Sequence, residues 1–381
     1  MQHRMKFMVP CLMGLERLVA DELKKLGLSE VRAENARVFC QGSLGDLARM
    51  NIGLRCGARV LLVLAEFHAE SFEELFQGTR AVRWEGMIPR DGAFPVKGYS
   101  LSSQLHSVPA CQSIVKKAVS QRLGQAYGVE WLPETGETYQ IQFSVMKDEV
   151  LLCLDTSGAG LYQRGYRAVG VEAPLRETLA AALVLLAHYR GLDPFCDPFC
   201  GSGTICIEAA LIAKNRAPGL NRRFAAQSWR ALDGSIWMDA VEEALDGEYH
   251  RSYDIWGGDI DPRAVRIAQE NAVKAEVEDT VRFEVADARR FYAHEPYGRV
   301  VTNPPYGERL LTPEEAGRLY HDFGAAARLL PEGWGVNILS SYEDLEHAFG
   351  QKARRRRKLY NGMLKCDLKT ASRTPAAAAS P

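Results

Sequence analysis

Apolar residues recur with two different rhythms along this chain, and the rhythm changes near Leu175. Before that point short elements of both kinds alternate. Residues 7–9 read as a strand, and Leu15, Leu18, Val19, Leu23 and Leu26 recur at helical spacing until Gly27 ends the helix. A strand over 31–40, a helix over 44–51 and a strand over 59–65 complete a small α+β unit. A second unit begins near Ser71, with a strand in "AFPVKGYS", a helix carrying Val108, Ile114, Val115, Ala118, Val119 and Leu123 on one side, and a hairpin turning at Lys147 and Asp148. "GLYQRGYRAVGVEAPLRE" has the glycines and proline of a linker. From Leu175 long helices alternate with short apolar strands: "LRETLAAALVLLAHYRG", "FCDPFCGSG", "TICIEAALIAKN", "DIWGGDIDP", "RAVRIAQENAVKA", "VRFEVADARRF" and "GRVVTNPPYGE". Strand, turn and helix repeated at this spacing predict an α/β fold with a doubly wound, mostly parallel sheet, whose ligands sit at the carboxyl ends of the strands. The expected divisions are 1–66, 67–165 and 166–370, followed by a small-residue, Pro-rich tail over 371–381 that composition marks as disordered.

Composition adds limits. At 381 residues the chain exceeds one ordinary core, and 46% hydrophobic with 25% charged residues is the balance of a soluble globular protein. No apolar run approaches the roughly 20 residues that span a bilayer. The opening "MQHRMKFMVPCLMG" lacks a signal-peptide pattern, so a cytoplasmic location with no membrane partner is expected. Nine scattered cysteines without a C-x-x-C pair argue for reduced, buried thiols, and neither a disulfide framework nor a metal site is expected. With a net charge of −1, any nucleic acid must be gripped by local basic clusters.

The candidate chemistry lies in the turns of the second half. "DPFCGSGT" offers Asp197, Pro198, Gly201, Gly203 and Thr204, with glycines where backbone must approach a ligand. A Walker A loop would need Gly-Lys-Ser/Thr, and no lysine appears before Lys214; a dinucleotide fingerprint would need a third glycine where Cys206 stands. S-adenosylmethionine has no phosphates and needs only close backbone approach to its methionine moiety. A plain tight turn explains the glycines as well. "GGDIDP" puts Asp259, followed by Ile260, where a carboxylate can accept from both ribose hydroxyls, while Asp261 suits a helix N-cap before Pro262. "VADARRF" puts Asp287, followed by Ala288, where it can accept from an adenine amino group. Each of these has a capping aspartate as its plainer reading. Three such turns in order favour the adenosylmethionine site.

"TNPPYG" then brings Asn303, Pro304, Pro305 and Tyr306 to the end of the next strand. The exocyclic amine of a planar base or amide is a poor nucleophile, because its lone pair is delocalised. Oxygen acceptors on its hydrogens, in line with a methyl donor, restore electron density to nitrogen. The Asn303 side chain and the Pro304 carbonyl can supply those acceptors, proline can hold the turn, and Tyr306 can stack on a flipped ring. Asn-Pro-Pro-Tyr points to amino-group methylation without saying which amino group.

These four turns, in this order, resemble a class I methyltransferase acting on exocyclic nitrogens. "EAPLRETLAAALVLLA" is similar to the helix that covers the cofactor in many such enzymes. "GLERLVADELKKLG" through "LLCLDTSGAGLYQRGYR" resembles a ferredoxin-like segment followed by a THUMP domain, an RNA-binding module. "RRRRKLYNGMLKCDL" resembles the terminal segment of RlmL-type large-subunit rRNA guanine-N2 methyltransferases, and the likeness runs over about residues 5–368. It implies S-adenosylmethionine held by Asp259 and Asp287, a guanine N2 oriented by Asn303 and Pro304, and stacking by Tyr306. Some RlmL-type proteins carry a second methyltransferase domain, which is not expected within these residues, and the pattern fades after Leu368, so a shortened last strand is expected. A tRNA guanine-N2 methyltransferase would use the same motif. DNA adenine or protein glutamine methylation would leave the N-terminal half unexplained, and a purely RNA-binding protein would have no use for Asn303.

Lys97, Lys116 and Lys117, together with Arg164, Tyr166 and Arg167, are the candidate RNA contacts; for the lysines a solvated helix or strand face explains the charge equally well. An insertion between Ala213 and Tyr253 carries Arg216, Arg222, Arg223, Phe224 and Trp229, which can wall a base pocket or simply pack a helix. Arg354 to Lys358 reads as a phosphate contact or as an exposed basic edge.

Overall fold

The computed structural model describes residues 4–167, 175–306 and 312–372. Two compact units result: the described residues of Met1–Cys11, Val19–Leu161 and Arg222–Glu243 form the first, and those of Leu12–Leu18, Tyr162–Asn221 and Ala244–Pro381 the second. The linker residues 168–174, the residues 307–311 after Asn-Pro-Pro-Tyr, and the expected tail from 373 onward lie outside the described residues.

The first unit is built on β1 (Met5–Pro10), β2 (Ser29–Glu34), β3 (Arg37–Gly42), β4 (Leu61–His68), β5 (Val96–Leu101), β6 (Ile141–Met146) and β7 (Glu149–Asp155), in the order β2-β3-β1-β4-β7-β6-β5. Its helices are α1 (Glu16–Lys25), α2 (Leu44–Gly53), α3 (Phe72–Ala81) and α4 (Val108–Tyr127). α2 starts where Ser43 accepts from the Asp46 amide and Asp46 accepts from the Ser43 amide, a capping box that satisfies two otherwise orphaned donors. The expected hairpin turns at Lys147 and Asp148 with φ of 53° and 65°, the double positive φ of a type I′ turn. The single strand expected over 31–40 is instead a hairpin, β2 and β3, turning at Ala36 with φ 58°. Its turn lacks the glycine that would have marked it. The insertion also declares itself here. Trp229 stacks on Tyr139 with centroids 4.9 Å apart and donates to the Thr138 carbonyl, and Phe224 stacks on Trp237. Phe224 and Trp229 are therefore packing residues of the first unit, and Arg222 is bound to the Ala159 and Gly160 carbonyls.

The second unit is doubly wound. β8 (Phe195–Asp197), β9 (Ile255–Asp259), β10 (Val281–Val285), β11 (Tyr297–Thr302) and β12 (Gly333–Ser340) run parallel, and the hairpin of β13 (Arg355–Asn361) and β14 (Leu364–Ser372) adds an antiparallel edge, in the order β10-β9-β8-β11-β12-β14-β13. β14 reaches Ser372, so the last strand is not cut short at Leu368. α5 (Glu177–Leu186) and α6 (Thr204–Ala213) are apolar nearly all round and buried, as helices wedged against a sheet must be. α7 (Ser235–Asp246) belongs to the insertion, and α8 (Pro262–Lys274), α9 (Pro313–Ala327) and α10 (Leu345–Phe349) complete the order. Strand order reverses between β8 and β11, which is the switch point where such sheets bind ligands. Among the described residues no helix is long and apolar enough to cross a membrane.

Candidate active site

The turn after β8 is held open by hydrogen bonds on all sides. The Cys200 amide donates to the Gly258 carbonyl at 2.8 Å, the Gly203 amide to the Cys200 carbonyl at 2.8 Å, and the Asn271 side chain to the Ser202 carbonyl at 2.9 Å. Gly203 has φ 81°, and a Cβ there would lie 2.8 Å from Phe283 and 2.9 Å from Ala268, so the start of α6 can approach β10 only with glycine in place. Gly201, with φ 51°, differs: a Cβ there meets nothing within 4 Å. The backbone at Gly201 faces open space.

Asp197 ends β8 as a buried carboxyl. It accepts from the Thr302 hydroxyl at 2.6 Å and the Phe199 amide at 3.1 Å, tying the carboxyl ends of β8 and β11 together across the switch point. Burial pushes its pKa up to about 7 against the pull of those two donors, with the nearby Asp259 charge adding to the rise. Its role in the structure is to brace the turn. Pro198 beside it is buried, and Thr204 is buried at the first position of α6.

Asp259 ends β9 and takes one amide on each oxygen, Gly201 at 2.9 Å and Asp261 at 2.9 Å. An ionised carboxylate has about four acceptor positions, so lone pairs remain for hydroxyls. Ile260 follows with 65% of its surface exposed, an apolar face next to that carboxylate. Asp261 caps α8 by accepting from the Arg263 amide, as its sequence context suggested. Asp287 is more fully engaged than expected. It accepts from the Arg289 amide at 3.0 Å and from the Arg289 guanidinium at 2.7 Å, and the Arg289 side chain holds its pKa below the usual carboxylate range. Ala288 behind it is buried.

The Asn-Pro-Pro-Tyr loop is braced from three elements. Tyr320 of α9 donates to the Pro305 carbonyl at 3.2 Å and lies 2.9 Å from the Ser340 hydroxyl at the end of β12. Asn361 of β13 donates to the Tyr306 hydroxyl at 3.1 Å. Pro304 is buried, and Asn303 is half-buried. The Asn303 Oδ1 atom is buried and has no hydrogen-bond partner among the described residues. Such an acceptor costs about 1–3 kcal/mol where nothing donates to it.

Several expected RNA contacts are corrected by their surroundings. Arg164 and Tyr166 are buried, and both donate to Glu208 of α6, at 3.3 Å and 3.2 Å. Arg167 donates to the Leu175 carbonyl and to the Thr204 hydroxyl and pairs with the buried Glu177 at 3.3 Å. Burial pushes Glu177 up to about 7, against the attraction of Arg167. Ions this deep need partners, and these cations have theirs inside the fold. Lys116 is likewise engaged, by Glu134 at 2.6 Å and by the Phe94 ring 3.6 Å away. Arg216 pairs with Glu248 and Glu276. Lys97 on the edge strand β5 and Lys117 on α4 are exposed. Sequence reasoning missed Tyr320, Ser340, Asn361 and Asn271, which lie far from the motifs they support and carry no local signal.

Glycine turn, ribose-type carboxylate and Asn-Pro-Pro-Tyr thus follow the first, second and fourth parallel strands, with Asp197 binding first to fourth. That is the arrangement of a class I methyltransferase. The chain belongs to the RMKL-like methyltransferase domain family, whose model matches residues 164–370; the models of the RlmL ferredoxin-like domain and the THUMP domain match residues 6–61 and 69–155. It is 43% identical to the putative RNA methyltransferase YpsC of Bacillus subtilis over 93% of this chain and 92% of that protein. It is 35% identical to the ribosomal RNA large subunit methyltransferase K/L of Syntrophotalea carbinolica, over 95% of this chain but 53% of that protein, so it spans about half the length of the K/L relatives. Among solved structures, SMU.472, a putative methyltransferase complexed with SAH, superposes with a TM-score of 0.91 at 40% identity, covering 98% of this chain and 99% of the other. The cradle fits S-adenosylmethionine: open backbone at Gly201, spare acceptors on Asp259 and the exposed apolar face of Ile260 suit an unphosphorylated nucleoside joined to an amino acid.

Proposed function

We propose that this chain transfers a methyl group from S-adenosylmethionine to the exocyclic N2 of a guanine in large-subunit rRNA, with the base flipped into the Asn-Pro-Pro-Tyr loop. The observation that carries the reading is the Asn303 Oδ1 at the carboxyl end of β11, buried and without a partner among the described residues. An arriving amino group supplies the missing donor. S-adenosylmethionine supplies an electrophilic methyl on a sulfonium. Gly201, Gly203 and Thr204 border its methionine end, Asp259 accepts from ribose hydroxyls, and Ile260 and Ala288 border the adenine. Asp287 reaches the adenine amine through whatever acceptor capacity Arg289 leaves. Asn303 Oδ1 and the Pro304 carbonyl accept the two N–H bonds of the guanine amine, aim its lone pair and enrich nitrogen, while the Tyr306 ring stacks on the base. The Tyr320 bond to Pro305 and the Asn361 bond to Tyr306 keep the loop from relaxing away. The proton leaves to water after transfer, so the residues need not include a general base.

Residues 1–66 and 67–165 serve in this reading as ferredoxin-like and THUMP RNA-binding domains, with Lys97 and Lys117 as exposed phosphate contacts, and 166–370 as the catalytic domain acting in the cytoplasm. Support comes from the matched THUMP model and from the rRNA-modifying K/L relatives. The test offers labelled S-adenosylmethionine with protein-free large-subunit rRNA, total tRNA and DNA in parallel, and identifies the product nucleoside by mass spectrometry. N2-methylguanosine in rRNA, abolished in Asn303→Ala, is expected. Label confined to tRNA would move the substrate, and label in DNA adenine would overturn the reading.

A further inference from the structure

The β13–β14 hairpin forms one edge of the second sheet, and its edge strand is unusually basic. Lys352, Arg354, Arg355, Lys358 and Lys365 are all exposed, and none makes an ion pair among the described residues. Two neighbours in the run are already used: Arg356 pairs with Glu346 and Asp367, and Arg357 donates to the Gly14 carbonyl. On one face of the hairpin the register sets Tyr360 opposite Lys365 and Lys358 opposite Asp367, whose recorded ion pair is with Arg356. At the tip, Asn361 holds the Tyr306 hydroxyl at 3.1 Å. From Asn361 back to Arg354 the chain runs seven residues, roughly 23 Å at strand rise. The hairpin and the residues just before it therefore carry exposed cations on both faces of the sheet edge, and the hairpin tip holds the tyrosine of the candidate base pocket.

We propose that the β13 edge is a phosphate rail for single-stranded RNA, contacting the backbone of the nucleotides that flank the target base while Asn361 sets the angle of Tyr306. The inference rests on the proposed function for the identity of the base, but the rail itself reads no sequence. Cations of one sign along an edge fit a polyanion with regularly spaced phosphates, and the half-buried Tyr360 ring beside Lys358 and Lys365 suits an unpaired base. Basic residues on an edge strand also discourage edge-to-edge pairing between sheets. That role needs one or two of them and does not call for the hairpin tip to hold the pocket tyrosine.

The probe is a labelled 20-nucleotide oligouridine, with binding by the full chain followed from low to high KCl. Each phosphate contact removed from a single strand lowers the slope of log K against log salt by about 0.7. The pair Lys358→Gln and Lys365→Gln should therefore flatten the slope by about 1.4, while the charge-matched pair Lys274→Gln and Arg282→Gln leaves it within 0.3 of the unchanged chain. Asn361→Ala should keep the slope and lower kcat on rRNA, with KM changed little. Equal slopes for the two charge-matched pairs would overturn the rail, as would unchanged oligouridine binding accompanied by larger oligomers, which would assign the cations to edge protection. Binding of S-adenosylhomocysteine, followed alongside, reports that each variant is folded. If the unaltered chain methylates no RNA, the proposed function falls while the slope measurement still decides the rail.

Discussion

Arg164-Gly-Tyr-Arg167 and Arg354 to Lys358 look alike as sequence, each a short cationic stretch with an aromatic residue nearby, yet they fold to opposite fates. The first is drawn inside, where Glu208 takes Arg164 and Tyr166 and Glu177 takes Arg167. The second stays on a sheet edge, where among the described residues Arg356 pairs with Glu346 and Arg357 donates to the Gly14 carbonyl, while Arg354, Arg355 and Lys358 show no ion pair. The difference was set by residues far along the chain, since Glu208 lies 44 positions beyond Arg164. A cation's meaning depends on whether the fold brings it a carboxylate, and local sequence does not carry that information.

The comparison breaks first at Glu208. Glu208→Ala removes the carboxylate that faces the buried Arg164 guanidinium and accepts from the buried Tyr166 phenol, and a loss of about 3–5 kcal/mol is expected by denaturant unfolding. A loss below about 1 kcal/mol would mean that the cluster is not an ion-paired core. pH probes that cluster through Glu177 and the β8–β11 brace through Asp197. Glu177 and Asp197 both have folded pKa values raised by burial to about 7, so the folded state binds their protons more readily than the unfolded state does. Their contribution is therefore complete below the unfolded carboxyl range and is lost as pH rises from about 4 through 7, by a few kcal/mol in all. Glu177→Gln should flatten that decline in unfolding free energy between pH 5 and 7, and an unaltered decline would contradict the assignment. A smaller effect is expected at Tyr320→Phe, about 1 kcal/mol for the lost bonds to Pro305 and Ser340, with kcat falling more than cofactor affinity. Smallest of all, Arg355→Gln with Lys358→Gln should shift stability by no more than about 0.5 kcal/mol, because exposed unpaired cations hold nothing in place.

Much of the fold was legible because hydrophobic period and turn chemistry are local. The 108–127 helix, the Lys147–Asp148 hairpin and the alternation after Leu175 follow from side-chain spacing, and the acidic, glycine and Asn-Pro-Pro-Tyr turns that form the candidate site fall at the ends of β8, β9, β10 and β11. The Ala36 turn escaped because neither Asn35 nor Ala36 announces a positive φ as glycine would. Within the site, sequence identified what could touch a ligand and was silent on what holds those groups still. Tyr320, Ser340 and Asn361 reach the loop only through sheet order and helix packing. Asp197 shows the limit from the other side: its position in the motif suggested a cofactor contact, whereas its two hydrogen bonds make it the brace between strands.

The most direct test of the account is the turnover of Asn303→Ala on protein-free large-subunit rRNA, measured beside its affinity for S-adenosylhomocysteine. The account predicts a fall in kcat of about 100-fold or more, of the size seen when an electrostatic donor or acceptor is removed from a reacting centre, with cofactor affinity unchanged. Turnover within twofold of the unaltered chain would show that the buried Asn303 oxygen is not the acceptor that activates the amine.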